Sequence, residues 1–305
     1  MSLIRTDLAL EAQEIAAEAG ALEGVTSEQS KLGDVTVTKV KVLDSRGEKA
    51  LGKPMGSYVT VEAPGLGEAE DESYDRALDI LAHELEAMLA PLGDGLVLVA
   101  GLGNAAMTPD AFGPRCVKSV LVTRHIAGEL TKITGLEGLR AVAAIAPGVL
   151  GQTGVETGEI IKSLVENIRP AAVIVIDALA SRRATRLGNT IQLADTGIIP
   201  GSGIGNSRFA INRESLGVPV ISVGVPTVVD AATLTVDVLQ NAGMPPKPEQ
   251  EEKIRAAIEP GGISMFVTPR LIDLIVEHAA RLTGLAINKA LHPGVSVEDM
   301  ERLVS

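Results

Sequence analysis

Gly95–Ala100 (GLVLVA) is an unbroken apolar run, and it constrains this chain more than any other feature. A strand with one wet face alternates apolar and polar residues; a continuous run of this length is expected where a strand is covered on both faces. Ala171–Ile176 (AAVIVI) repeats the pattern, and Leu139–Ile145 (LRAVAAI) lies between the two. The longest runs are far short of the roughly 20 residues that a membrane helix needs. Segments at helical spacing, Pro109–Leu130 and Glu156–Ile168, separate these strands. Shorter strands at Thr190–Leu193 and Val218–Val223 follow, then helices at Val228–Gln240 and Pro269–His292. Alternation of strand and helix predicts crossover units and a mostly parallel sheet.

The N-terminal third has a different texture. Leu8–Ala19 reads as a short amphipathic helix. Asp34–Leu43 (DVTVTKVKVL) and Gly56–Ala63 (GSYVTVEA) alternate as half-buried strands and predict an antiparallel ribbon. Glu68–Ala90 reads as a long helix, and Gly243–Gln250 is the clearest loop. No internal repeat is visible. The expected fold is α/β, a mostly parallel sheet flanked by helices with an N-terminal antiparallel β-ribbon. A single domain is expected over 1–305, with helix and ribbon in 8–94 and the main sheet in 95–305.

Composition narrows the function. A chain of 305 residues with 46% apolar residues folds around a core, and disorder is excluded as its main state. It has no Trp, two Tyr, three Phe and a formal charge of −12. Stacking platforms and phosphate-binding patches are therefore missing, and direct nucleic-acid binding is not expected. A protein or small-molecule substrate fits better. One cysteine, Cys116, excludes an internal disulfide framework. Met1–Gly20 is charged and mixes polar with apolar residues, unlike a secretory signal, so a soluble, cytoplasmic protein without membrane contact is expected.

Ligands of open parallel sheets bind beyond the carboxyl ends of the strands. There the chain places two Gly-rich loops, Gly101–Ala106 and Gly201–Gly205, and three carboxylates, Asp110, Asp177 and Asp195. Gly101, Gly103 and Ala106 fit a dinucleotide fingerprint, but the next strand ends in Ala146-Pro147-Gly148 without the acid that would hold a ribose. Asp110 also suits a plain role as helix N-terminal charge. Asp177 directly follows an apolar run, where a carboxylate is poorly solvated. Two such acids side by side can share one proton, one serving as base for water and the other as acid for the leaving group. Other chemistries lack their parts. His83-Glu84 has no second His to complete a zinc motif; His125, His278 and His292 are dispersed; Ser202 sits in G-S-G; and Cys116 falls within a predicted helix. No phosphate-loop G-K-[ST] exists.

With those residues in place, the chain resembles the germination protease family of spore-forming bacteria. The likeness rests on Arg5-Thr6-Asp7-Leu8-Ala9, Gly101-Leu102-Gly103-Asn104 through Thr108-Pro109-Asp110, Pro147-Gly148-Val149, Ile176-Asp177-Ala178-Leu179-Ala180, Gly201-Ser202-Gly203-Ile204-Gly205-Asn206 and Pro226-Thr227-Val228-Val229-Asp230. The resemblance implies an endopeptidase that degrades small acid-soluble spore proteins at germination, in the forespore or spore core. It implies a zymogen that removes its own N-terminal segment, a homotetramer, and a fold similar to hydrogenase maturation endopeptidases. The family's two catalytic aspartates fall on Asp110 and Asp177. Its preference for an acid, a large apolar residue and Ala places self-cleavage between Asp7 and Leu8, with 1–7 as propeptide. Glu14-Ile15-Ala16 also fits, but helix formation hides it. The segment before Asp7 is short, and a long insertion that some relatives carry between Asp230 and Val267 is missing. Loop residues Gly103, Asn104, Gly201, Ser202 and Gly203 are candidates for binding substrate and oxyanion. No cofactor and no metal are expected. The competing expectations are a divalent ion on Asp110 and Asp177, joined by Asp195 or Glu156, and a non-enzymatic scaffold.

Overall fold

A computed structural model describes residues 4–20, 22–66, 72–126, 139–201 and 209–304. Among these, the strands are β1 (Val25–Leu32), β2 (Val35–Val42), β3 (Gly56–Glu62), β4 (Val97–Gly101), β5 (Val142–Ile145), β6 (Ala172–Ser181), β7 (Thr190–Ala194), β8 (Val220–Asp230) and β9 (Phe266–Val267). They form one sheet in the order β1-β2-β3-β7-β8-β6-β4-β5, with β9 on β8.

The fold is α/β with helices on both faces, and the sheet is mixed. β8, β6, β4 and β5 run parallel. β1, β2, β3 and β7 are antiparallel to their neighbours. The N-terminal ribbon is thus continuous with the main sheet, through β3 on β7. Residues of the central strands alternate between two cores, as the pleat requires. Val97 and Val99 of β4 and Ile174 and Ile176 of β6 join Leu81 and Leu85 of the Glu72–Leu89 helix and Val276 and Leu282 of the Ile272–Leu291 helix. Leu98, Ala100, Val173 and Val175 face the opposite way, toward Ile161 and Val165 of the Thr157–Ile168 helix. A third cluster joins Val40, Tyr58 and Ala194 to Ala9, Ala12 and Ala16 of the Ala9–Glu18 helix. Among the described residues no helix is long and apolar enough to cross a membrane.

Several boundaries differ from the sequence expectation. The helix expected over Pro109–Leu130 is one 3-10 turn, Thr108–Asp110, and a short α-helix, Phe112–Lys118. The chain is drawn off by tertiary partners: Leu121 N–H donates to Asn288 Oδ1 at 2.8 Å, and Thr123 and Arg124 N–H donate to the Val142 carbonyl. β6 runs on to Ser181, so Asp177 lies within the strand. β8 runs to Asp230, whose carboxylate caps a helix that begins at Ala231, not Val228. Pro248 opens a helix, Pro248–Ile258, that shortens the expected loop. Ser202, Gly203, residues 127–130 of the expected helix and 68–71 of the long helix lie outside the described residues.

Candidate active site

β4 ends alongside the middle of β6, with Gly101 opposite Ile176, and Leu102 N–H closes the pair on the Ile176 carbonyl at 2.7 Å. The chain then loops into the Thr108–Asp110 turn and the Phe112–Lys118 helix. That helix approaches the strand ends closely enough that a Cβ on Gly113 would sit 2.3 Å from the Leu102 carbonyl oxygen and 2.6 Å from that of Ile176. Asp110 is thereby carried to the end of β4, where Asp177 follows Ile176 in the neighbouring strand.

Three contacts fix Asp110. Asn104 N–H donates to its Oδ2 at 2.7 Å. Buried Thr227 of β8 donates Oγ1–H to the Pro109 carbonyl at 2.7 Å. Gly103, with φ +110°, lets the loop pass so near that a Cβ would lie 2.0 Å from the Asp110 carbonyl oxygen. Asp110 is half-buried. Asp177 is 7% exposed and pairs in register with Gly224 of β8; its Oδ1 accepts from Ala178 N–H at 3.0 Å. By alternation it follows Val173 and Val175, on the face covered by the Thr157–Ile168 helix.

Asp7, Gly103, Asp110, Glu156, Asp177 and Gly201 line one cleft of about 310 Å³. Leu102, Val149, Ile198 and Phe209 give it apolar walls, a setting in which electrostatic interactions strengthen. Asp195 is not part of it. β7 is antiparallel to β8, so Asp195 leaves the sheet at the other end, where its Oδ1 accepts from Ser57 N–H at 2.8 Å. The expectation that three carboxylates share one sheet edge is corrected to two. Among the described residues no three His, Cys, Asp or Glu side chains gather as a metal site.

The N-terminal segment enters the same cleft. Asp7 N–H donates to the Ala180 carbonyl at 2.8 Å, and Ala180 N–H donates to Asp7 Oδ2 at 2.9 Å. Beyond it the chain is anchored by fully buried Glu11, which accepts from Arg183 N–H at 3.0 Å and pairs with Arg186 at 3.1 Å. Ahead of it Arg5 pairs with Asp230 at 3.3 Å. Asp7 also lines a second cavity of about 400 Å³, with Lys53, Gln192 and Tyr58. Burial lowers the Lys53 ammonium below its usual value, against the opposing pull of Asp7 and Glu11. Burial likewise pushes the Tyr58 phenol up to about 12. Sequence reasoning missed Lys53 and Gln192. Lys53 follows the Ser45–Leu51 helix like any solvated lysine, whereas Gln192 does interrupt the apolar strand Thr190–Ala194, a signal that could have been read.

A cleft beside the carboxyl end of β4, bringing Asp110 and Asp177 together with an extended piece of the chain itself, defines an α/β protein with the parts of a hydrolase. A family model described as germination protease matches residues 4–242, and the chain belongs to that family. It is 44% identical to the germination protease of Caldanaerobacter subterraneus subsp. tengcongensis, over 99% of this chain and 98% of that protein. It is 42% identical to that of Clostridium perfringens strain ATCC 13124, over 99% of each. Among solved structures it is similar to the [NiFe] hydrogenase maturation protease HycI from Thermococcus kodakarensis KOD1, at 18% identity and a TM-score of 0.36, over 68% of this chain and 98% of that one. As a member of a protease family, the protein is a hydrolase of peptide bonds.

Proposed function

We propose that this protease acts at spore germination on small acid-soluble spore proteins, and that Asp110 and Asp177 are its catalytic pair. The observation that carries the reading is their presence in one cleft with Asp7, the residue before the expected self-cleavage bond. One aspartate, ionised, takes a proton from water as the water attacks the scissile carbonyl. The other, protonated, gives its proton to the leaving nitrogen. The segment 1–7 is the propeptide of a zymogen, and the cut falls between Asp7 and Leu8. The Ala180 N–H on Asp7 Oδ2 supports a preference for an acid before the cut bond, because it gives that carboxylate a fixed donor. Since one aspartate must be protonated, mild acidity favours the cut. The active protein works in the forespore or spore core and has no direct contact with nucleic acid or membrane.

Asp110→Asn and Asp177→Asn, each assayed on a small acid-soluble spore protein, are expected to lose about 10²–10⁴-fold in turnover, the usual worth of acid–base assistance. Near-normal turnover in either variant removes that residue from the mechanism. A second reading places a divalent ion on Asp110 and Asp177 for a maturation-type endopeptidase; Glu156 lines the same cleft but does not gather with them as a metal site. The aspartate reading expects full activity after exhaustive chelation. Loss that is restored by a divalent ion would favour the metal.

A further inference from the structure

The carbonyl of Asp7 is the one that must be attacked if the chain cuts itself before Leu8, and two side-chain donors are aimed at its oxygen. Lys53 Nζ–H donates to it at 2.8 Å, and Gln192 Nε2–H at 3.3 Å. Each donor is held from elsewhere. Gln192 lies within β7, and its Oε1 accepts from Ala9 N–H at 2.6 Å, which turns its amide hydrogens toward Asp7. Lys53 follows the C-cap of the Ser45–Leu51 helix and also reaches the Thr6 carbonyl at 3.4 Å. Asp7 is shared between two cavities: one contains Asp110 and Asp177, the other Lys53 and Gln192. Asp7 therefore borders the carboxylates' cleft, and fixed donors hold its carbonyl oxygen.

We propose that Lys53 and Gln192 are catalytic residues of the self-processing reaction, forming the oxyanion site for the Asp7–Leu8 bond. This rests on the reading that the chain cuts itself there. It replaces the backbone amides of the Gly-rich loops as oxyanion donors for that step. As water attacks the Asp7 carbonyl carbon, its proton passes to the ionised aspartate and the π electron pair moves onto the carbonyl oxygen. The ammonium and the amide stabilise that charge more than they stabilise the neutral carbonyl, which is the condition for lowering the barrier. The pair then returns to carbon, the C–N bond breaks, and the nitrogen of Leu8 takes a proton from the other aspartate. The products are a carboxylic acid at Asp7 and a free amine at Leu8, with one proton still on the aspartate pair.

The test uses the full chain and follows the Leu8 terminus by intact mass and N-terminal sequencing. Lys53→Met is expected to slow its appearance about 10²–10³-fold, as loss of one oxyanion donor does elsewhere. Gln192→Glu keeps the acceptor for Ala9 but removes the donor, and should also slow the cut. Lys53→Arg keeps a cationic donor and should recover part of the rate. Hydrogen exchange at the Asp7 amide separates chemistry from mere anchoring. Protection there should match wild type in Lys53→Met if Lys53 acts on the oxyanion. Cutting at a wild-type rate in both Lys53→Met and Gln192→Glu overturns the proposal and leaves self-cleavage intact. A slow rate that comes with lost Asp7 protection also overturns it, since Lys53 then only holds the segment. Wild-type protein that never shows a Leu8 terminus overturns the self-processing reading and this proposal together.

Discussion

At Gly103 a single missing side chain decides where a catalytic candidate sits. The loop takes φ +110° there, and the space a Cβ needs is occupied by the Asp110 carbonyl oxygen at 2.0 Å. Gly103→Ala must therefore push the Thr108–Asp110 turn away from the strand ends. A displacement near 1 Å commonly costs about 10²-fold in rate, so cleavage by Gly103→Ala is expected to fall by that order, measured as kcat on a peptide substrate. An unchanged kcat would show that Asp110 need not stay where Asn104 and Thr227 hold it. Residue-level legibility in the sequence was uneven. Asp177 was visible because it directly follows an apolar run that had to be a strand, and Asp110 because it closes the loop that leaves another such run. Lys53 and Gln192 were not, because their meaning comes from one carbonyl, Asp7, that is far from both in sequence but bonded to both in space.

Among the elements, β8 and the helix after it meet at Asp230, and that junction also fastens the N-terminal segment. The Asp230 carboxylate accepts from Thr233 N–H and Oγ1–H at 2.8 Å each, from Arg255 at 3.2 Å and from Arg5 at 3.3 Å. Burial alone would raise its pKa, but Thr233 and Arg255 outweigh that and hold it below the ordinary 3.8. The folded value is thus depressed. Its contribution to stability is complete above the unfolded value and is lost as pH falls through the folded one. Asp230→Asn keeps the shape and removes the charge from a buried pair, a change that costs about 3 kcal/mol or more at neutral pH. In chemical denaturation the gap to wild type should narrow below about pH 4; a gap constant with pH would refute the assignment. The element boundaries that misled the sequence reading have similar causes. β1 escaped notice because nearly all its residues are exposed, leaving no apolar pattern. The helix after Pro109 was read too long because partners distant in sequence end it, Asn288 by capturing Leu121 and Val142 by capturing Thr123 and Arg124.

For the molecule as a whole, the alternation of strand and helix was enough to give the α/β class, since strands buried on both faces carry that signal in every residue. It did not reveal that the ribbon joins the sheet through β3 and β7, because pairing partners are set by register and not by composition. Surface composition bears on assembly. Ile263, Met265, Phe266, Val267, Leu271 and Leu274 are all exposed within one stretch of chain. Apolar surface gathered in this way commonly marks a contact face, and the homotetramer that the family resemblance implies would give it an occupant. Light scattering is expected to return four times the chain mass, and Ile263→Glu with Leu271→Glu should lower it. A wild-type monomer at working concentration would remove the tetramer.

Leu8 is wholly buried and stands immediately before the Ala9–Glu18 helix. Scission of the bond ahead of it would turn a neutral amide, now hydrogen-bonded to Thr6 Oγ1 at 3.0 Å, into a cation at the head of that helix. A positive charge is unwelcome at that end of a helix dipole and away from water. The departing segment would also take Arg5 from Asp230. The severed ends would not refit the seat that the intact chain occupies. The proposed self-cleavage would therefore consume the arrangement that made it possible, and so act as a ratchet.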